Sequence, residues 1–185
     1  MKYATPQAFK AALEDRLRNQ VRANHDLGRL RQLVVYDRFL CRVLTEVDLS
    51  VVLKGGVVLE LRLPFARATK DIDLRASGPP DGLLQALQRA GRRTIDPLRF
   101  EVSVDPKHPT IAADGMIYEG LRFRVQCTLA GRIYGRPFGL DVAFADPIYG
   151  APETLPASTW FDFAGLDGVP IPVVPLETHI AEKLH

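Results

Sequence analysis

Between Leu53 and Leu74 the chain reads LKGGVVLELRLPFARATKDIDL: an apolar run closed by Gly55-Gly56, a short helical pattern, then Asp71-Ile72-Asp73. Aspartates at i and i+2 on a strand project from one face with Cα atoms about 6.5–7 Å apart, because the rise is roughly 3.3 Å per residue. Two carboxylates that close repel one another unless protons, basic groups or cations intervene. In an otherwise apolar strand this pattern predicts a divalent metal site, and oxygen-only ligands favour magnesium or manganese. The alternative is that Asp71 and Asp73 are the wet face of an edge strand. The glycines weigh toward the first reading. They end Val51-Val52-Leu53 and open a segment, Val57 to Leu63, with the spacing of a short helix. Backbone without side chains at that point lets phosphates approach the N–H groups at the positive end of the helix dipole. A glycine pair alone is usually a turn. Joined to an acidic pair, it reads as a triphosphate beside a metal.

The run Lys54-Gly55-Gly56, then Leu59, Arg62, Arg67, Thr69 and Asp71-Ile72-Asp73-Leu74, resembles the signature of the AbiEii/MenT toxins, nucleotidyltransferases of the DNA polymerase β-like superfamily. A second stretch, PLETHIAEKLH from Pro175 to His185, is similar to that family's E-x-x-x-A-E-K-L-H helix. Two ordered motifs spread over the chain from residue 51 onward make the resemblance specific. It implies an α/β (α+β) nucleotidyltransferase fold, a mixed and mostly antiparallel sheet flanked by helices. It also implies a nucleoside triphosphate substrate, Mg2+ or Mn2+, the 3′ end of tRNA as acceptor, and a cognate antitoxin as partner. Gly55, Gly56, Val57, Lys54 and Arg67 would then bind the nucleotide. Val57 stands where the family usually has Ser or Thr, which removes a hydroxyl from the triphosphate cradle.

The resemblance further implies a third carboxylate on a neighbouring strand. The alternating stretch Leu121–Leu129, the turn-rich Ala130 to Gly135 and the run Phe138–Phe144 together read as a β-hairpin. Asp141 sits in its second strand between Leu140 and Val142, where a buried, unpartnered carboxylate would be unfavourable. With strands about 4.8 Å apart it could join Asp71 and Asp73 around one or two ions. The competing readings are that Asp141 caps the turn or that Asp146 is the functional acid. Lys183 is predicted at the margin of an apolar stripe formed by Leu176, Ile180 and Leu184. Snorkelling is the ordinary fate of such a lysine; the resemblance suggests a charge aimed at a nucleotide phosphate, and Lys183 joins Asp71, Asp73 and Asp141 as a catalytic candidate.

The 185 residues, 46% hydrophobic and 25% charged, suffice for one core. The expected layout is a helical segment over 1–50, packed on a nucleotidyltransferase core over 51–185 that stops in the middle of a helix pattern, as a truncated chain would. The N-terminal helix pattern runs from about Pro6 to Val47 with a break near Asn24 to Gly28. An amphipathic stripe of Leu30, Leu33, Val34, Phe39, Leu40 and Leu44 is suited to covering a sheet. No stretch approaches the roughly 18 apolar residues of a membrane span, and the start does not read as a signal peptide, so a cytoplasmic protein is expected. Cys41 and Cys127 lie in apolar runs and read as reduced core residues. Residues 1–50 carry nine Lys/Arg against six Asp/Glu, and residues 151–185 one against five. Such asymmetry could draw a polyanion to one face. With the resemblance, it makes Arg22, Arg29 and Arg31 the RNA-binding candidates; Arg16, Arg18, Arg38 and Arg42 share the same helices. The same Gly pair and aspartates would equally serve a small-molecule nucleotidyltransferase of the antibiotic-modifying kind, or a silent nucleotide-binding module if the aspartates did not converge.

Overall fold

Two side-chain caps start the N-terminal helices. Thr5 Oγ1 accepts from Ala8 N at 3.1 Å, with Pro6 in the first turn, to begin α1 (Pro6–Gln20). Asp26 Oδ1 accepts from Arg29 N at 2.7 Å to begin α2 (Leu27–Glu46). The computed structural model describes residues 2–21, 26–47, 50–63, 66–111, 120–144 and 150–184, with the side chains of residues 111 and 182–184 excepted. After α2 come β1 (Ser50–Lys54), α3 (Gly55–Arg62), β2 (Asp71–Ser77), α4 (Leu83–Arg92), β3 (Leu98–Val104), β4 (Thr110–Ile111), β5 (Gly120–Leu129), β6 (Arg132–Ile133) and β7 (Phe138–Phe144). Then follow β8 (Glu153–Leu155), a 3-10 turn at Asp162–Ala164, β9 (Ile171–Val173) and α5 (Leu176–Leu184).

Among the described residues the strands form one sheet in the order β3-β5-β7-β2-β1-β9-β8, with β4 and β6 added to β5. Most pairings are antiparallel; β2–β7 and β1–β9 are parallel. The expected mixed, mostly antiparallel α/β architecture is therefore the observed one. Alternation along the strands divides the sheet into two faces. Ile72, Leu74, Phe100, Phe123, Val125, Leu140 and Val142 point into the core. There the ring of Phe39 on α2 meets Phe100 and Phe138 at centroid distances of 5.3 and 5.6 Å, and Tyr36 meets Phe138 at 5.0 Å. α4 closes on β3 so tightly that a Cβ at Gly91 would stand 2.5 Å from the Phe100 carbonyl oxygen. The opposite face carries Asp71, Asp73, Asp141 and the polar residues of β3 and β5.

Two sequence expectations change here. α2 is not amphipathic with a wet arginine face: apart from Arg31, residues 30–43 are buried, Arg38 and Arg42 included. Asp96 makes this tolerable. It accepts from Arg38 Nε and from both terminal nitrogens of Arg42, each at 2.9 Å, and from Leu98 N at 2.8 Å. Arg38 and Arg42 are thus interior ion-pair residues rather than part of a phosphate groove. In α5, Ile180, read as core-facing, is 49% exposed, while Thr178 and His179 are buried and Leu176 is half-buried; the side chain of Leu184 lies outside the described residues. Cys41 and Cys127 are both buried and free, and burial raises both thiols, Cys41 to about 11. No helix among the described residues is long and apolar enough to cross a membrane.

Candidate active site

Strand register assembles the site. Parallel pairing of β2 with β7 sets Asp73 directly beside Asp141 and Asp71 beside Gly139; antiparallel pairing of β1 with β2 sets Lys54 beside Asp73. Antiparallel pairing of β5 with β7 brings Arg122 beside Asp141 on the other side. One row across the sheet therefore reads Lys54, Asp73, Asp141, Arg122, with Asp71 one step along. Asp73 is lifted to about 6, first by burial and then by the charges of Asp141 and Asp71; Lys54 and Arg122 oppose the rise. Arg122 grips Asp141 in a bidentate pair, Nε to Oδ1 at 2.6 Å and a terminal nitrogen to Oδ2 at 2.5 Å, which raises the guanidinium further. Asp71 is exposed, and its Oδ1 accepts from Gly139 N at 3.1 Å.

The glycine pair abuts this row. Gly55 takes a left-handed φ of +72°, and a Cβ there would stand 1.9 Å from Asp73 Oδ2. Only glycine satisfies both the backbone and the contact. Lys54 is the N-cap of α3 and makes no side-chain cap hydrogen bond, so the first-turn N–H groups of Gly55, Gly56 and Val57 have neither an intrahelical acceptor nor a cap from the Lys54 side chain. The Val57 side chain is fully buried, which limits this residue to its backbone. A hydroxyl is nonetheless at hand: Thr69 Oγ1 would lie 2.9 Å from a Cβ at Gly56. Thr69 is held there from several sides. Arg29 and Tyr36 donate to its carbonyl oxygen at 3.0 and 3.3 Å, and its N–H donates to Glu60 Oε2 at 3.3 Å, Glu60 itself pairing with Arg29.

The other sequence candidates divide. Arg67 is exposed in the segment leading to β2. Arg29 is held in the Glu60–Thr69 network, and Arg31 pairs with Glu14 of α1, Nε to Oε1 at 2.8 Å. Arg22, Asp146 and the side chain of Lys183 lie outside the described residues. Arg122 and Gly139 were missed as site residues, and Thr69 was quoted only as part of a signature. Alternation in LRFRVQCTL, which puts Arg122 and Arg124 on the polar face, was the available signal for Arg122; Gly139 becomes meaningful only once β2 lies beside β7.

The donors around Asp71, Asp73 and Asp141 are all hard oxygens, which suits magnesium or manganese. Among the described residues no group of three or more Asp, Glu, His or Cys side chains is placed, in this arrangement, to hold a metal ion. Arg122 neutralises Asp141 in this arrangement, so a cation would take over a charge balance now supplied by the guanidinium.

A family model described as "Nucleotidyl transferase AbiEii toxin, Type IV TA system" matches residues 38–185. Among solved structures, JHP933 from Helicobacter pylori aligns with a TM-score of 0.51 at 13% identity, covering 88% of this chain and 58% of that one. A provisionally assigned nucleotidyltransferase from H. pylori gives 0.48 at 15% identity, covering 83% and 56%. This chain spans less than three fifths of the length of either. At such identity the first likeness speaks for the fold. No curated protein matches the chain.

Proposed function

The chain belongs to the AbiEii family of nucleotidyl transferase toxins, and from that premise we propose that it transfers a nucleoside monophosphate from a triphosphate to the 3′ hydroxyl of a tRNA. The observation that carries the reading is the contact between Gly55 and Asp73. A phosphate bound at the start of α3 would therefore lie beside the carboxylate row. Phosphates would lie on the first-turn N–H groups of α3, with the Thr69 hydroxyl beside them and Lys54, Arg67 and Lys183 offsetting their charge. The acceptor oxygen forms a bond to the α-phosphorus, the bond to the bridging oxygen breaks, and pyrophosphate leaves. Asp71, Asp73 and Asp141 would hold Mg2+, which neutralises charge developing on the phosphates. The hydroxyl proton passes to Asp141. For that, Arg122 must turn from Asp141 toward the substrate phosphates, a short movement for a side chain about one third exposed. An antitoxin that pairs with the chain would restrain this activity.

Incubating the purified chain with each labelled triphosphate, total RNA, and either Mg2+ or a chelator tests the proposal. Label on the tRNA fraction in Mg2+ alone is expected, and none with Asp73→Ala. Label on small hydroxyl compounds but not on RNA would favour a small-molecule transferase instead. Label that persists in Asp73→Ala would remove the carboxylate row from the chemistry.

A further inference from the structure

Beyond Arg122, the aspartate-bearing face of the sheet continues across β5 and β3. Arg124 lies two residues along β5 from Arg122, with Gly139 opposite it on β7 and Ser103 on β3; further along, Gln126 faces Glu101 and Thr128 faces Arg99. Arg99, Glu101, Ser103, Arg124 and Gln126, joined by Arg92 from α4, line a groove of about 540 Å³. Arg92, Arg99 and Arg124 are exposed. Among the described residues none of these three makes an ion pair, whereas Arg29, Arg31, Arg38, Arg42, Arg62, Arg93 and Arg122 are all paired. The cations of the N-terminal helices are largely used in holding the fold. Those of this groove are not, and only Glu101 offsets them there.

The geometry points to a track. Six residues along β5 and two strands across separate Arg99 from Asp141, a span of roughly 20 Å. A chain of phosphates could follow the arginines over that distance and deliver its end to the aspartates. The groove offers guanidinium, amide and hydroxyl groups, and its one ring, Phe100, is buried. Such a lining contacts phosphate and sugar and does not read bases. We propose that this groove binds the sugar-phosphate backbone of the acceptor RNA independently of sequence, leaving its 3′ end at Asp141; this rests on the acceptor being RNA.

The experiment compares two charge-matched triple variants by titration of a fluorescent single-stranded oligoribonucleotide across a salt series. Arg92→Gln/Arg99→Gln/Arg124→Gln should bind at least tenfold more weakly than wild type at about 0.1 M salt. Its log–log salt slope should be shallower by about 2, at roughly 0.7 per lost phosphate contact. Lys10→Gln/Arg18→Gln/Arg132→Gln empties the second basic cleft, beside α1 and the β5–β6 turn, and should bind as wild type does. Scrambling the RNA sequence should change neither result. Binding by the first triple within twofold of wild type, or an equal loss in the second, overturns the track. Transfer of labelled nucleotide is scored separately. If wild type labels no RNA but the first triple loses RNA affinity, the acceptor reading falls and the groove stands as a polyanion site; if wild type labels RNA and the first triple does so with unchanged KM, the groove is not the path.

Discussion

A hydrogen in place of a side chain at Gly55 is what leaves room for the Asp73 carboxylate. At φ +72° an alanine is strained by about 1–2 kcal/mol, and its Cβ would force Asp73 aside. Gly82 provides the control, since it has the same φ with nothing within 4 Å of an added Cβ. Gly82→Ala should lose only the stability that the backbone strain costs and Gly55→Ala more, and only the latter should lose transfer, by on the order of 10²-fold, as misplaced catalytic groups do. Thermal melts beside rate measurements check both halves. Asp73 makes a second residue-level prediction. Its folded pKa of about 6 exceeds the ordinary 3.8, so the folded chain holds this proton more tightly than the unfolded chain does. Ionised Asp73 therefore destabilises the metal-free fold, fully above pH 6, less as pH falls, and not at all below about 4. Asp73→Asn should stabilise the chelator-treated protein at pH 7 by roughly 1–3 kcal/mol, and the gain should vanish near pH 4. A denaturant series at both pH values reads it; an equal gain at pH 4 would place its origin elsewhere.

Among the elements, α2 is the one whose sequence misleads. Its arginines look like a solvated helix face, yet Arg42 is wholly buried against Asp96 and stacks its guanidinium 5.0 Å from the Phe100 ring centroid. The pairing couples α2 to the start of β3, more than fifty residues away. Removing Asp96 would strand two buried guanidiniums, so Asp96→Ala should cost about 3–5 kcal/mol. Asp96→Asn, which can still accept from Leu98 N, should cost less. Urea midpoints for the two rank them, and near-equal losses would mean that the charge, not the backbone contact, holds the joint. α3 was easier to read, because a glycine pair before an apolar 3.6-residue pattern admits few other structures. α5 was not. Its apolar spacing put Ile180 inward, and the structure leaves it 49% exposed.

At the scale of the whole molecule, the sheet draws carboxylates of remote sequence into one row, and a cation that binds there should stabilise the fold. Mg2+ at 100 times its dissociation constant would add about 2.7 kcal/mol. Titration should raise the melting temperature of wild type, and Asp73→Ala should be blind to it; an equal rise in both would put the ion on another site. The alternation of apolar and polar residues, the glycine pair and the Asp-x-Asp spacing were all legible in the chain, because each depends on a local period or a local backbone requirement. They made β1, β2, β5, β7 and α3 legible, but not the short strands β4, β6, β8 and β9. Only the tertiary structure decided that Gly55 touches Asp73, that Arg122 balances Asp141, that Gly139 must be bare for Asp71, and which arginines are used in the core and which remain for a partner. These outcomes depend on strand register and helix docking, and the energies that select them are shared among residues far apart in the sequence.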